Sequence, residues 1–212
     1  MEGDEPIGWI VLDYDEEENK ALLFSRYGLD ARRYNDEDTD ITWENCLLRK
    51  WLNTVFLRNA FSKEEQSAIL TTTVDNSKAQ GAGIWNTYGG KDTEDKVFLL
   101  SYAEAHQYLE LTDADKTGVK PRVAPTLYAF AERGARAKGS PDVLTEDGLA
   151  AALWCLRSPG WRQANAALVD MDGRLQHESV YADYPMVCPA VRVNLDDPVL
   201  PEDVDCTGVP IA

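Results

Sequence analysis

Chemistry at a protein site needs a base or nucleophile held by a partner, or a metal held by converging ligands. The chain carries only two histidines, His106 and His177, and four cysteines, Cys46, Cys155, Cys188 and Cys206. Neither histidine has cysteines or carboxylates around it at metal-ligand spacing. His106 falls on a predicted helix, where a surface or half-buried structural role fits, and His177 lies between Gln176 and Glu178 on a predicted exposed strand. The cysteines are too scattered for a zinc pattern and too few for a disulfide scaffold of this length, so free thiols are expected. The phosphate loops, the zinc helix motif and the nucleophile-elbow motif are all absent from the sequence. Two acidic segments invite a calcium reading. The one at 13–19 lacks spaced ligands and a central glycine, and the one at 113–118 puts Ala124 where a bidentate glutamate is required. No catalytic residue, metal or cofactor is therefore expected.

Binding without catalysis asks for different residues. Trp161, Arg162, Gln163, Asn165, Arg174, Gln176, His177, Glu178, Tyr181, Asp183 and Tyr184 form a polar and aromatic set close to the end of the chain. Such residues supply contact area and adaptable hydrogen bonds at little entropic cost. They fit a solvated sheet face as well. Trp161 follows a turn and stands among polar neighbours, which predicts a partly exposed ring. Trp43, Trp51 and Trp154 sit in apolar patterns and belong to a core. Arg157 is expected to bond loop carbonyls or a carboxylate, with Pro159-Gly160 setting a turn.

The partners of such a surface are bounded by composition. A net charge of −16 over 212 residues repels phosphate backbones, and Arg32-Arg33 and the stretch 133–138 are the nearest approach to a basic cluster. Nucleic acid is excluded on that ground, leaving an unknown protein or carbohydrate ligand. No run approaches the roughly 20 apolar residues of a membrane span, and the polar, acidic start is unlike a signal sequence. The chain reads as cytoplasmic as given, and as extracellular if a signal or domain precedes it.

The elements that must position these residues follow from periodicity. Apolar runs at 7–12 and 20–25 flank an acidic turn and predict a hairpin. Thr42 is placed to cap an amphipathic helix running to Phe56, and Ser62 with Glu65 and Ser101 with Glu104 form capping boxes for two more. A strand at 71–74, a long surface loop at 75–90, a strand at 96–100 and a helix at 125–136 come next. Strands at 149–156, 164–169, 174–181 and 186–194 close the fold. The expectation is one α+β domain over 1–195, with helices in its N-terminal and middle parts and an antiparallel β region at its C-terminal end. An acidic, proline-containing tail occupies 196–212.

Four segments occur in a recognisable order: Thr42-Trp43-Glu44-Asn45-Cys46-Leu47-Leu48-Arg49-Lys50-Trp51-Leu52-Asn53, Phe61-Ser62-Lys63-Glu64-Glu65-Gln66, Asp95-Lys96-Val97-Phe98-Leu99-Leu100-Ser101 and Leu156-Arg157-Ser158-Pro159-Gly160. As a set they resemble an uncharacterised bacterial family, the domain of unknown function 6273 family. The resemblance implies a fold similar to C-type-lectin-like and formylglycine-generating-enzyme-like proteins, whose terminal strands present a loop-rich surface. Where that family has Trp-Trp and Gly-Val-Arg-Pro-Ala, this chain reads Trp154-Cys155 and Met186-Val187-Cys188-Pro189-Ala190. Both departures introduce cysteine. Formylglycine-generating enzymes hold copper with a cysteine pair, so the resemblance makes Cys155 and Cys188 a candidate thiol pair, as buried free thiols, a disulfide or a metal or redox pair. The leading expectation is a non-catalytic recognition module. The alternative is an enzyme related to the formylglycine-generating kind that uses a thiol or metal site.

Overall fold

A computed structural model describes residues 6–111, 120–135 and 143–196. The N-terminal hairpin pairs β1 (Trp9–Asp15) with β2 (Lys20–Ser25), and its turn is tighter than the acidic run suggests because Asp13 and Asp15 belong to β1. Asn19, at φ 47°, supplies the left-handed position of that turn. In β2, Ala21, Leu22, Leu23 and Phe24 are all buried. Consecutive side chains point to opposite faces of a strand, so both faces of β2 are covered.

Two main sheets carry the fold. The first has the order β1-β2-β11-β6, with β11 (Ala190–Asn194) antiparallel to both β2 and β6 (Val97–Phe98). The second has the order β3-β10-β7-β8-β9, built from Asp30–Ala31, Met186–Val187, Trp154–Pro159, Asn165–Val169 and Leu175–Ser179. Its pairings are antiparallel except β10 with β7, which run parallel where Met186 meets Trp154. A ribbon of β4 (Thr72–Val74) and β5 (Thr93–Asp95) stands apart. The α+β expectation holds, and a single cluster of buried side chains, including Phe24, Trp43, Leu100, Trp154 and Val191, runs through both sheets.

Several boundaries differ from the sequence expectation. The strand expected over 186–194 breaks at Cys188-Pro189 and enters both sheets as β10 and then β11. Proline cannot donate to a ladder, and here its carbonyl instead accepts from Ser25 N at 2.9 Å. The strand expected from 149 starts at Trp154. Thr42 precedes only a 3₁₀ turn, Trp43–Asn45, and makes no side-chain cap. Cys46 Sγ accepts from Arg49 N at 3.4 Å and caps α1 (Leu47–Trp51), which passes through a π turn at Leu52–Phe56 into α2 (Leu57–Ala60). Both capping boxes form, on α3 (Lys63–Ala68) and α4 (Tyr102–Leu109). The helix expected over 125–136 is only α5 (Leu127–Ala131). The segment 113–118 and all of the tail beyond Asp196 lie outside the described residues. Among the described residues no helix is long and apolar enough to cross a membrane.

Two polar clamps hold the helices and loops to the sheets. Buried Asp95 accepts from Trp43 Nε1 at 3.0 Å, Thr93 Oγ1 at 2.7 Å and Arg49 Nε at 2.7 Å. One turn further on, Asn53 Oδ1 accepts from Lys96 N and Val97 N while its amide donates to Val97 O. The second clamp is Arg157, 1% exposed. Nε donates to Asn76 Oδ1, Nη1 to Leu99 O and Glu104, and Nη2 to Asp75 O and Glu104. All five guanidinium N–H groups are thereby used, as expected of an arginine bonding loop carbonyls and a carboxylate. The loop 75–90 is thus tied to the end of β7, and Asn76 and Ala82 within it are buried.

Candidate functional site

The candidate surface is built where β7 ends. Ser158 Oγ donates to Gln80 O at 2.8 Å and accepts from Tyr102 N at 2.9 Å, fixing the strand end against the pinned loop. At Gly160 the chain crosses the β8–β9 pair so closely that a Cβ would stand 2.7 Å from His177 Cβ and 2.8 Å from Asn165 Cβ. Only glycine fits such an approach without displacing those strands.

Gln163 then joins two loops distant in sequence. Its Nε2 donates to Ile41 O at 3.0 Å and Tyr88 O at 2.8 Å, and its Oε1 accepts from Tyr88 N at 3.0 Å. Thr87 Oγ1 adds a bond to Gly160 O at 2.9 Å. The loops 82–90 and 160–164 therefore present one surface. On it the His177 ring meets Trp85 edge-on at 5.5 Å and Trp161 at 6.0 Å, and the Arg162 guanidinium lies 5.1 Å from the Trp161 ring centre. Trp161 and Tyr88 are each 57% exposed and Ile84 is 70% exposed. A partly exposed Trp161 is what the sequence predicts; Trp85, Tyr88 and Ile84 were legible only as apolar residues inside a Gly- and Asn-rich loop.

The predicted set divides among four places. The β8–β9 register puts Asn165 opposite Ser179 and Ala167 opposite His177, so Asn165 and His177 share one face of the pair. Gln176 and Glu178 lie on the other face, where Tyr184 Oη donates to Glu178 Oε2. Arg174 closes the 170–174 turn, its amide donating to Asp170 Oδ1 at 3.0 Å while its buried Nε has no hydrogen-bond partner. Tyr181 lies under the Arg33 guanidinium at 3.8 Å, and Arg33 also reaches Asp183 at 3.7 Å. Trp161, Arg162, Gln163, Asn165 and His177 are the members that the structure brings together.

Cys46, Cys155 and Cys188 are free and buried, and Cys206 lies outside the described residues. Burial pushes the Cys46 thiol up to about 12, against the partial help of the Arg49 amide. The Cys155 and Cys188 thiols are raised as well, again chiefly by burial. A thiol in that state is a poor nucleophile near neutral pH. His106 is exposed on α4, with its ring 6.1 Å from that of Tyr102. Among the described residues no three His, Cys, Asp or Glu side chains converge as metal ligands.

No curated protein and no solved structure matches the chain. The sequence matches the family described as Domain of unknown function (DUF6273) over residues 18–195. That span contains Trp43, Arg49, Asn53, Asp95 and Arg157, which form the two clamps, and every residue of the aromatic surface. The chain belongs to the DUF6273 family.

Proposed function

We propose that the chain is a non-catalytic recognition module, and that the Trp85, His177 and Trp161 ridge with Tyr88 beside it contacts a carbohydrate. The observation that carries this reading is the pair of rings, Trp161 and Tyr88, each held 57% exposed on loops locked together by Gln163. Contiguous exposed apolar surface commonly marks an interaction site, and an ordered ring loses little freedom when a ligand arrives. The CH face of a sugar ring can lie on the Trp161 indole while Arg162 and Asn165 bond its hydroxyls. A C-type-lectin-like fold is part of the same reading, supported by terminal strands β7 to β9 that carry the loop-rich surface. The enzyme alternative would need a thiolate or a bound metal. The raised thiols of Cys155 and Cys188 favour the non-catalytic reading.

Labelled chain applied to a glycan array tests the proposal. Wild type is expected to bind a restricted set of glycans, and Trp161→Ala and Tyr88→Ala to lose that binding while keeping the wild-type melting temperature. A blank array, or glycan binding that both variants retain, would overturn it. A purified protein partner bound through Trp161 would replace the sugar with a peptide chain.

A further inference from the structure

A second surface lies around Arg33, whose guanidinium stacks on the Tyr181 ring. Arg32, Arg33 and Arg133 meet there around a cavity of about 510 Å³. That size suits a small molecule. Asp30, with its side chain 8% exposed, receives Arg32 Nε at 3.0 Å and Arg133 Nε at 2.7 Å. One carboxylate thus holds two guanidinium groups by their Nε edges. One positive charge is left in excess, and the Nη groups lie outside that contact. Stacking fixes the planes: Arg32 lies 4.1 Å above the Trp51 ring and Arg33 lies 3.8 Å above Tyr181. Arg33 Nε is buried and has no hydrogen-bond partner.

Carboxylates line the same cavity, namely Asp36, Glu132 and Asp183. All three are exposed, whereas Arg32, Arg33 and Arg133 are half-buried. Solvent screens the exposed carboxylates more than the half-buried guanidinium groups, which leaves the arginines as the better-ordered charges of the lining. The Arg33 pair with Asp183, at 3.7 Å and with Asp183 72% exposed, is one that a better acceptor can displace.

We propose that this cavity binds a small molecule bearing an oxyanion, a carboxylate or a phosphate, with an apolar portion resting on Leu47 and Trp51. Guanidinium forks already held in plane bind planar or tetrahedral oxyanions at two points without further ordering. The local placement of three arginines is what lets a chain of net charge −16 take up an anion.

Calorimetric titration of the whole chain with citrate and with inorganic phosphate tests the proposal. One saturable site is expected for at least one probe, weakened tenfold or more in Arg33→Gln and in Arg133→Gln and unchanged in Trp161→Ala. The Trp161 control separates this cavity from the aromatic ridge, so either reading can fail alone. Should Arg133→Gln unfold through loss of its Asp30 contact, Arg33→Gln decides by itself. A preference for citrate assigns a carboxylate ligand, and a preference for phosphate assigns a phosphate ligand. No saturation by either probe up to roughly 10 mM, or affinity that Arg33→Gln leaves intact, would overturn the proposal.

Discussion

Arg157 and Glu104 meet end-on, each guanidinium Nη group facing one carboxylate oxygen, and the oxygen that takes Nη1 also accepts Ser101 N to close the capping box of α4. One carboxylate therefore starts a helix and terminates a buried charge. Removing Arg157 leaves Asn76, the Leu99 and Asp75 carbonyls and Glu104 without their donor. Arg157→Ala is expected to cost about 3–5 kcal/mol, read as a lowered urea midpoint. Arg157→Lys should cost nearly as much, because one ammonium cannot reach five acceptors.

Asp95 is the matching test for the other clamp. Asp95→Asn keeps an oxygen for Trp43 Nε1 but loses the charge that faces Arg49 Nε at 2.7 Å. A loss of about 1.5–3 kcal/mol is expected. Chemical denaturation measures it, and a neutral result would mean that Arg49 is held by its bonds to the Glu44 and Glu94 carbonyls alone.

Gly160→Ala and Trp161→Ala should separate shape from contact. The alanine methyl at 160 would press on His177 and Asn165, costing about 1–3 kcal/mol and moving the His177 ring between its two indoles. Trp161→Ala, at an exposed position, should stay within about 0.5 kcal/mol of wild type. Thermal melts of the two variants side by side check the order.

The capped helices α3 and α4 and the N-terminal hairpin were legible because their signals are local: a hydroxyl three residues before a glutamate, or two apolar runs about an acidic turn. Cys46 was not legible as a cap, since a thiol accepts weakly and Thr42 offered a better cap residue. Half of the aromatic surface was legible. Trp161 and His177 lie near one another in sequence, whereas Trp85 and Tyr88 arrive through the Gln163 amide from a loop pinned by Arg157. Tyr181 follows β9 closely and still leaves the ridge, because Arg33 stacks on its ring.

The thiols yield a prediction in pH. Burial raises Cys46 to about 12 from 9.0, so the protonated thiol is the form the fold prefers. The stability it contributes is complete below the unfolded thiol's value near 9 and is lost as pH rises from there towards 12. Cys155 and Cys188 shift in the same direction and add to the alkaline loss. At pH 8 a thiol reagent should leave these three untouched in native protein, and after unfolding it should titrate all four cysteines of the chain. Rapid modification of any of the three under native conditions would show that the region opens.

Pro189 hands one stretch of chain from the second sheet to the first, where β11 lies between β2 and β6. On a ribosome, Leu22, Leu23 and Phe24 emerge long before Arg192, Val191 and Ala190, which they will face in that order. Until then β2 has one open edge, and its apolar side chains wait for contacts far along the chain. Closure of the first sheet must therefore wait for β11 to be made, and such non-local pairing is slow. The β1–β2 hairpin is where a nascent chain of this kind most needs a chaperone.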